Sequence, residues 1–318
     1  MPSALPLLDP ALDPKKFQNS SHTAEAIPRA HVALGTLDTL WFNTGTRCNL
    51  TCRHCYIESG PRNDRLVYIT LDEVRSYLDE ISALGLPTGE IGFTGGEPFM
   101  NPDLLDSTKL CLGSGFRVLI LTNAMRPMMK YAEHLQPMAT RWGERLVLRV
   151  SLDHFSATLH EQERGPGTWQ LTLDGLQWLA HNGFTIAVAG RLRWGESEAR
   201  MRDGYRRLFA DLGLALDAGD PAALMLFPEM DESADVPEIS VNCWDHLSLG
   251  PHQMMCAHSR MVVKPKGGTP EVMACTLLPY DRDFAMGASL ADAADKVMLN
   301  HPYCAQFCVL GGGSCSTG

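Results

Sequence analysis

The sequence predicts an α/β fold of parallel strands joined by right-handed crossovers, followed by a smaller cysteine-rich unit. Between residues 37 and 230 six short apolar runs alternate with longer amphipathic ones, the pattern of repeated strand–helix units. After about residue 235 that alternation stops, and a soft boundary falls near 235–250. The chain is 318 residues long and 45% apolar, enough for one large core with a small appendage.

Residues 1–36 are rich in Pro, Asp, Ser and Ala without periodicity, and read as an extension that wraps the surface or stays partly mobile. "TLWFN" (39–43) is the first strand and leads into a cysteine loop. A helix starts at Thr70, where Thr70 and Glu73 form a capping box. It runs to Leu84, with Val74, Leu78 and Ile81 on its apolar face. "EIGFT" (90–94) is the next strand and 101–115 the next helix, stopped by glycine. "RVLILT" (117–122), a helix over 128–136 and the strand "RLVLRVSL" (145–152) follow. A helix over 168–182 is closed by Gly183. "TIAVAGRL" (185–192), a helix over 197–212 and "ALMLF" (223–227) complete the six units. Beyond them, 260–275 reads as a hairpin around Lys266, Gly267 and Gly268, 289–299 as a helix, and the rest as a cysteine-rich tail.

Charge and composition narrow the function. The net charge is −10 and the pI about 5.5, which argues against a nucleic-acid backbone as partner. No run approaches the ~18 apolar residues of a membrane helix, and no secretory signal is apparent at the N-terminus. A cytoplasmic location is expected. There are ten cysteines. Cys111 and Cys243 are isolated and read as buried apolar thiols. The rest are clustered, and clustered thiols in a reducing compartment usually bind metal, because tight runs pair poorly as disulfides.

The first cluster, Cys48-x3-Cys52-x2-Cys55, sits at the end of the first strand, where parallel sheets of this kind gather their chemistry. Three closely spaced thiolates suit an iron–sulfur cluster with one iron uncapped. A zinc site would need a fourth ligand, for which His54 is poorly placed beside Cys55. About forty residues on comes "GFTGGEP" (92–98). The two motifs together, in this order, resemble the radical S-adenosylmethionine (SAM) enzymes over roughly residues 37–230. The resemblance implies a partial (β/α)6 TIM-like barrel in which Cys48, Cys52 and Cys55 hold a [4Fe–4S] cluster. Its fourth iron would bind the amino and carboxylate groups of SAM, and one electron would break SAM into a 5′-deoxyadenosyl radical. His54 stands at the family's aromatic position.

By the same resemblance Gly95, Gly96, Glu97 and Pro98 would receive the SAM amino group, the glycines letting backbone carbonyls approach it. Ser151 and Asp153, at the fourth strand end, would lie near the SAM ribose or carboxylate. Arg164, in "HEQERG", would donate to the carboxylate. Thr122 and Asn123 are further candidates, and Val188 and Leu226 would pass near the adenine.

Cys256, Cys275, Cys304, Cys308 and Cys315 lie outside the barrel segment. They resemble the ligands of a Twitch or abbreviated SPASM extension, implying one auxiliary [4Fe–4S] cluster with a spare thiol. The tail spacing of three residues and then six departs from the usual SPASM run. Zinc held by four of the five is the alternative. Gly311, Gly312 and Gly313 would let the chain bend around the metal.

The expected activity is hydrogen abstraction from a peptide or protein side chain or a small metabolite, completed as an oxidation through the auxiliary cluster. A reductant such as flavodoxin or ferredoxin would supply the electron. Peptide-modifying relatives often carry a leader-binding domain, for which 36 residues before the barrel are too few. A non-catalytic iron–sulfur electron carrier or redox sensor is the alternative, against which GGEP argues. No catalytic side chain is assigned. Glu229, Asp231 and Glu232 read as a solvated acidic loop, and Arg191 and Arg193 as either an acidic-substrate site or ion pairs.

Overall fold

In a computed structural model that describes residues 11–313, the chain builds an eight-stranded sheet. In chain order the elements are β1 (His31–Val32), β2 (Thr39–Asn43), α1 (Leu71–Leu84), β3 (Glu90–Thr94), α2 (Leu104–Gly113) and β4 (Arg117–Thr122). Then come α3 (Arg126–Met129), α4 (Ala132–Trp142), β5 (Leu146–Ser151), α5 (Ala157–Arg164), α6 (Thr168–His181) and β6 (Thr185–Leu192). The series ends with α7 (Glu198–Asp211), β7 (Leu224–Pro228), β8 (Ser259–Val263), β9 (Glu271–Met273) and β10 (Val297–Met298). Strands β2 to β7 lie side by side in sequence order, all parallel. This is the mixed α/β, partial TIM-like arrangement expected.

The strands are buried on both faces, so they read as continuous apolar runs. Alternate side chains divide between two cores. Phe42, Phe93, Ile120, Val150 and Val188 pack under the helices, while Trp41, Leu119, Val147 and Ala187 fill the other face. Pairing puts Trp41 directly opposite Gly92. A Cβ on Gly92 would come within 2.3 Å of the indole, so that glycine makes room for the largest inward side chain.

Helix boundaries follow local chemistry. At α1 the capping box of Thr70 and Glu73 is formed, and Gly85 closes the helix in the left-handed region (φ 61°). Ser197 caps α7. The helix expected over 128–136 is instead two, α3 and α4, because Tyr131 leaves helical geometry (φ −104°, ψ 12°). Its ring packs near Phe99. Helix α5 was not anticipated: it buries only His160 and Glu163, so no apolar stripe announced it.

After β7 the sheet continues. Strand β8 pairs parallel to β2, and β9 returns antiparallel as the expected hairpin, with Gly267 at φ 76°. The helix expected over 289–299 does not form. Residues 292–294 make one short 3-10 turn, and β10 pairs with β1. The buried Arg260 guanidinium takes the carbonyls of Ala293 and Asp295, which a helix would have used for itself. Tertiary pairing overrides a helical composition here. The tail residues Cys304–Val309 form a π-helical turn.

The N-terminal extension is fastened to this C-terminal part. Glu238 accepts from Arg29 and from the backbone N–H groups of Phe17 and Ala24. Extension, core and C-terminal unit remain a proposed division. No helix of the described residues is long and apolar enough to cross a membrane.

Candidate functional site

One cavity opens at the carboxyl ends of β2 to β7. Asn43, Thr94, Thr122, Ser151, Arg191 and Phe227 line it from the six strand ends, and Cys48, Cys52 and Cys55 line it from the loop after β2. The loop is tied by its own backbone. Leu50 N–H donates to the Cys48 sulfur at 3.4 Å and Ser59 N–H to the Cys55 sulfur at 3.3 Å. Burial pushes the Cys48 thiol up to about 12. Burial also raises Cys52, against the opposing pull of Arg164. Burial therefore disfavours the Cys48 and Cys52 thiolates, and binding a metal there would release protons.

The GGEP turn sits against that loop. Gly96 N–H donates to Gly45 O (2.8 Å) and Glu97 N–H to Arg47 O (3.0 Å). A Cβ on Gly95 would lie 2.6 Å from Gly45 O, and one on Gly96 2.1 Å from Arg47 O. Gly95 also has φ 128°. The glycines thus permit a backbone-to-backbone approach between the two motifs, a reason not visible in the spacing.

Gly95 and Gly96 line the cavity; Glu97 and Pro98 are not among its lining residues. The Glu97 carboxylate is enclosed, accepting from Thr122 Oγ1 (2.8 Å), Asn123 N (2.9 Å) and Phe99 N (3.2 Å). Burial raises its pKa to about 7 despite these donors. Glu97 joins the ends of β3 and β4, and Thr122 and Asn123 serve it as well as facing the cavity.

Ser151, Asp153 and Arg164 are brought together in the same wall. Arg164 donates from Nε (2.6 Å) and Nη2 (3.1 Å) to the two oxygens of Asp153. Burial would weaken its charge, but Asp153 and Cys52 hold its pKa above the usual range. For Asp153 burial acts upward, and Arg164 outweighs it, so its carboxyl stays ionised. Part of the guanidinium is thus already committed to Asp153. Val188 and Leu226 do not line the cavity; their neighbours Ala189 and Phe227 do. A one-residue displacement in a strand reverses the face presented, and Val188 belongs to the helix-side core.

Arg191 and Arg193 are engaged in ion pairs. Arg191 pairs with Glu163 (3.0 Å) and Glu229 (2.9 Å), and Arg193 also pairs with Glu229. His54 donates from Nδ1 to Glu163 and accepts from Arg193 at Nε2, so its ring is occupied. Asp231 bonds Ser233, and Glu232 pairs with His301. Glu163 was not singled out in the sequence.

The distal cysteines converge as well. Cys256, Cys275, Cys304 and Cys308 line a second, apolar cavity with Met254, Leu278 and Tyr303. Cys315 lies outside the described residues. Burial pushes the Cys256 thiol up to about 11 and also raises Cys304 well above the usual thiol range. Leu277 lines both cavities. Gly311 sits where a Cβ would be 2.2 Å from Gln306 O, so the tail folds back tightly there. Cys111 is fully buried, as expected, while Cys243 is half-buried, with Ser240 N–H donating to its sulfur.

Each cysteine set gathers its thiols on one cavity, the ligand type an iron–sulfur cluster takes. Among the described residues no three His, Cys, Asp or Glu side chains are placed to hold one metal ion. Zinc would require about four ligands ~2.0–2.3 Å from one centre, whereas a [4Fe–4S] cluster takes one cysteine on each iron. Three thiols lining a cavity beside a close-packed glycine turn suit a three-cysteine cluster with room for a ligand. Four thiols around an apolar cavity suit a cluster capped on every iron.

Comparison with known proteins finds relatives for part of the chain. Residues 42–192 match the model of the Radical SAM superfamily. An AdoMet-dependent heme synthase of Methanosarcina barkeri is 30% identical over 145 residues, 44% of this chain and 38% of that protein. The antilisterial bacteriocin subtilosin biosynthesis protein AlbA of Bacillus subtilis is 29% identical over 149 residues, 46% of this chain and 32% of AlbA. The matches therefore span well under half of those relatives' lengths. In fold, the chain is similar to Streptococcus suis SuiB crystallised with S-adenosylmethionine. That likeness has a TM-score of 0.58 at 12% identity and covers 80% of this chain and 64% of SuiB.

Proposed function

We propose that this chain, a member of the radical SAM superfamily through residues 42–192, abstracts a hydrogen atom from a peptide side chain and completes the change as an oxidation. The observation that carries the proposal is the single cavity shared by Cys48, Cys52, Cys55, Gly95, Gly96 and the Asp153–Arg164 pair. When bound, a [4Fe–4S] cluster and SAM supply reductive cleavage of the sulfonium carbon–sulfur bond, and with it a carbon radical able to abstract hydrogen.

The chain's own residues hold and shield that chemistry. Cys48, Cys52 and Cys55 are the proposed ligands, fixed by backbone donors to two of their sulfurs. Gly95 and Gly96 offer backbone groups to the SAM amino group. Arg164, anchored by Asp153, keeps a cationic face toward the cavity for the SAM carboxylate, and Ser151 stands beside it. Trp41, Leu121, Phe227 and Phe307 give an apolar wall that excludes water from a reactive intermediate. Cys256, Cys275, Cys304 and Cys308 are proposed to cap an auxiliary cluster completely. Full capping favours electron acceptance over direct substrate ligation. A peptide substrate is favoured by the relationship to AlbA, which acts in subtilosin biosynthesis.

Anaerobic reconstitution followed by SAM and dithionite tests the reading, with 5′-deoxyadenosine as the expected product. Its absence from fully iron-loaded protein would sink the enzyme and leave an electron carrier.

A further inference from the structure

Glu163 and the residues around it form a polar group that the proposed chemistry does not use. Glu163 closes α5 beside Arg164, and it is nearly sealed from solvent (3% exposed). One oxygen accepts from His54 N–H at 2.7 Å and the other from His54 Nδ1 at 2.8 Å. Its own backbone carbonyl accepts from Arg53 N–H at 2.8 Å. Arg191, reaching from β6, donates to His54 O at 3.1 Å and to Glu163 at 3.0 Å. The two residues between Cys52 and Cys55 are thus held at their backbones, Arg53 by the Glu163 carbonyl and His54 by the Glu163 carboxylate and the Arg191 guanidinium.

Charge is balanced in the same place. Glu163 and Glu229 face Arg191 and Arg193. The two ring nitrogens of His54 lie between the same groups, Nδ1 against Glu163 and Nε2 against Arg193. Two carboxylates and two guanidinium groups leave no net charge in the quartet. The Glu163–Arg191 pair is buried, and a buried ion pair costs desolvation free energy and is a weak device for stability alone. Here Glu163 and Arg191 are packed against the cysteine loop.

We propose that Glu163 and Arg191 are positioning residues for the Cys52–Cys55 loop, and that their quartet with Arg193 and Glu229 sets the reduction potential of the cluster held there. This rests on the assignment of Cys48, Cys52 and Cys55 as cluster ligands. Neutralising Glu163 leaves one uncompensated positive charge near the cluster, which favours its reduced form. Neutralising Arg191 leaves one negative charge and favours the oxidised form. The two substitutions act in opposite directions, which a merely structural role would not produce.

The test is anaerobic redox titration of reconstituted full-length protein, following the electron paramagnetic resonance signal that changes on adding SAM. Glu163→Gln is expected to move the midpoint potential upward and Arg191→Gln downward, with the double variant near wild type. Arg191→Lys keeps the charge but loses the bidentate reach, so it should hold the potential while altering the SAM-induced spectral change. A variant that loses this signal while keeping its distal iron and its circular-dichroism melt also supports positioning. Shifts in the same direction, or unchanged potential and spectra in both single variants, would overturn the proposal. If Cys48→Ala, Cys52→Ala and Cys55→Ala together leave the iron content unchanged, the ligand assignment itself has failed instead.

Discussion

Gly96→Ala probes the contact on which the site is built. The added methyl would stand 2.1 Å from Arg47 O, 2.6 Å from Arg47 C and 3.0 Å from Thr46 C, all of them backbone atoms. No flexible side chain can move aside, so two strand-end turns must separate by about 1 Å to reach ordinary contact. That movement breaks two backbone hydrogen bonds, Gly96 N to Gly45 O and Glu97 N to Arg47 O. At ~1 kcal/mol each, with ~1–3 kcal/mol for overpacking, the loop loses about 3–5 kcal/mol of local stability. The loop carries Cys48, so the displacement passes directly into the proposed ligand set. A misplacement of ~1 Å is enough for a loss of roughly 100-fold in rate. The assay is iron and sulfide content after reconstitution, together with 5′-deoxyadenosine formed from SAM and dithionite. Gly113→Ala, whose added Cβ meets nothing within 4 Å, is the control and should be neutral or slightly stabilising. Wild-type iron and wild-type 5′-deoxyadenosine in Gly96→Ala would refute the reasoning.

Three further outcomes are expected. Burial pushes the His160 imidazole down from 6.5 to about 4. Its stabilising contribution is therefore fully present above pH ~6.5 and lost as pH falls through about 4, amounting to about 3 kcal/mol. Urea midpoints should fall across that window, and His160→Phe should flatten the slope; an unchanged slope would count against it. Glu238→Gln leaves buried Arg29 without its ionised partner, at a cost of ~3–5 kcal/mol. Faster proteolysis within residues 11–30 would report the detached extension, and wild-type resistance would contradict the staple. Replacing Cys48, Cys52 and Cys55 by Ala should leave about four irons per chain on the distal cysteines and abolish SAM cleavage. Loss of all iron would remove the auxiliary cluster from the model of function.

The sequence by itself determined the six parallel strands, most helices and the identity of the cysteine sets. Those features are written in local, periodic or closely spaced residues: the capping box at Thr70, the apolar runs, the three thiols within one loop. Tertiary structure decided the rest. Residues 289–299 look helical alone, but their carbonyls are claimed by Arg260 and their chain by β1. Val188 and Leu226 yielded the cavity to Ala189 and Phe227, because strand twist and register settle which face turns inward. Glycines assigned to ligand approach prove to be needed where two backbone turns meet. Glu163 carries no motif at all; its partners His54 and Arg191 lie 109 and 28 residues away. Such a residue acquires its meaning only when α5, β6 and the cysteine loop are packed together.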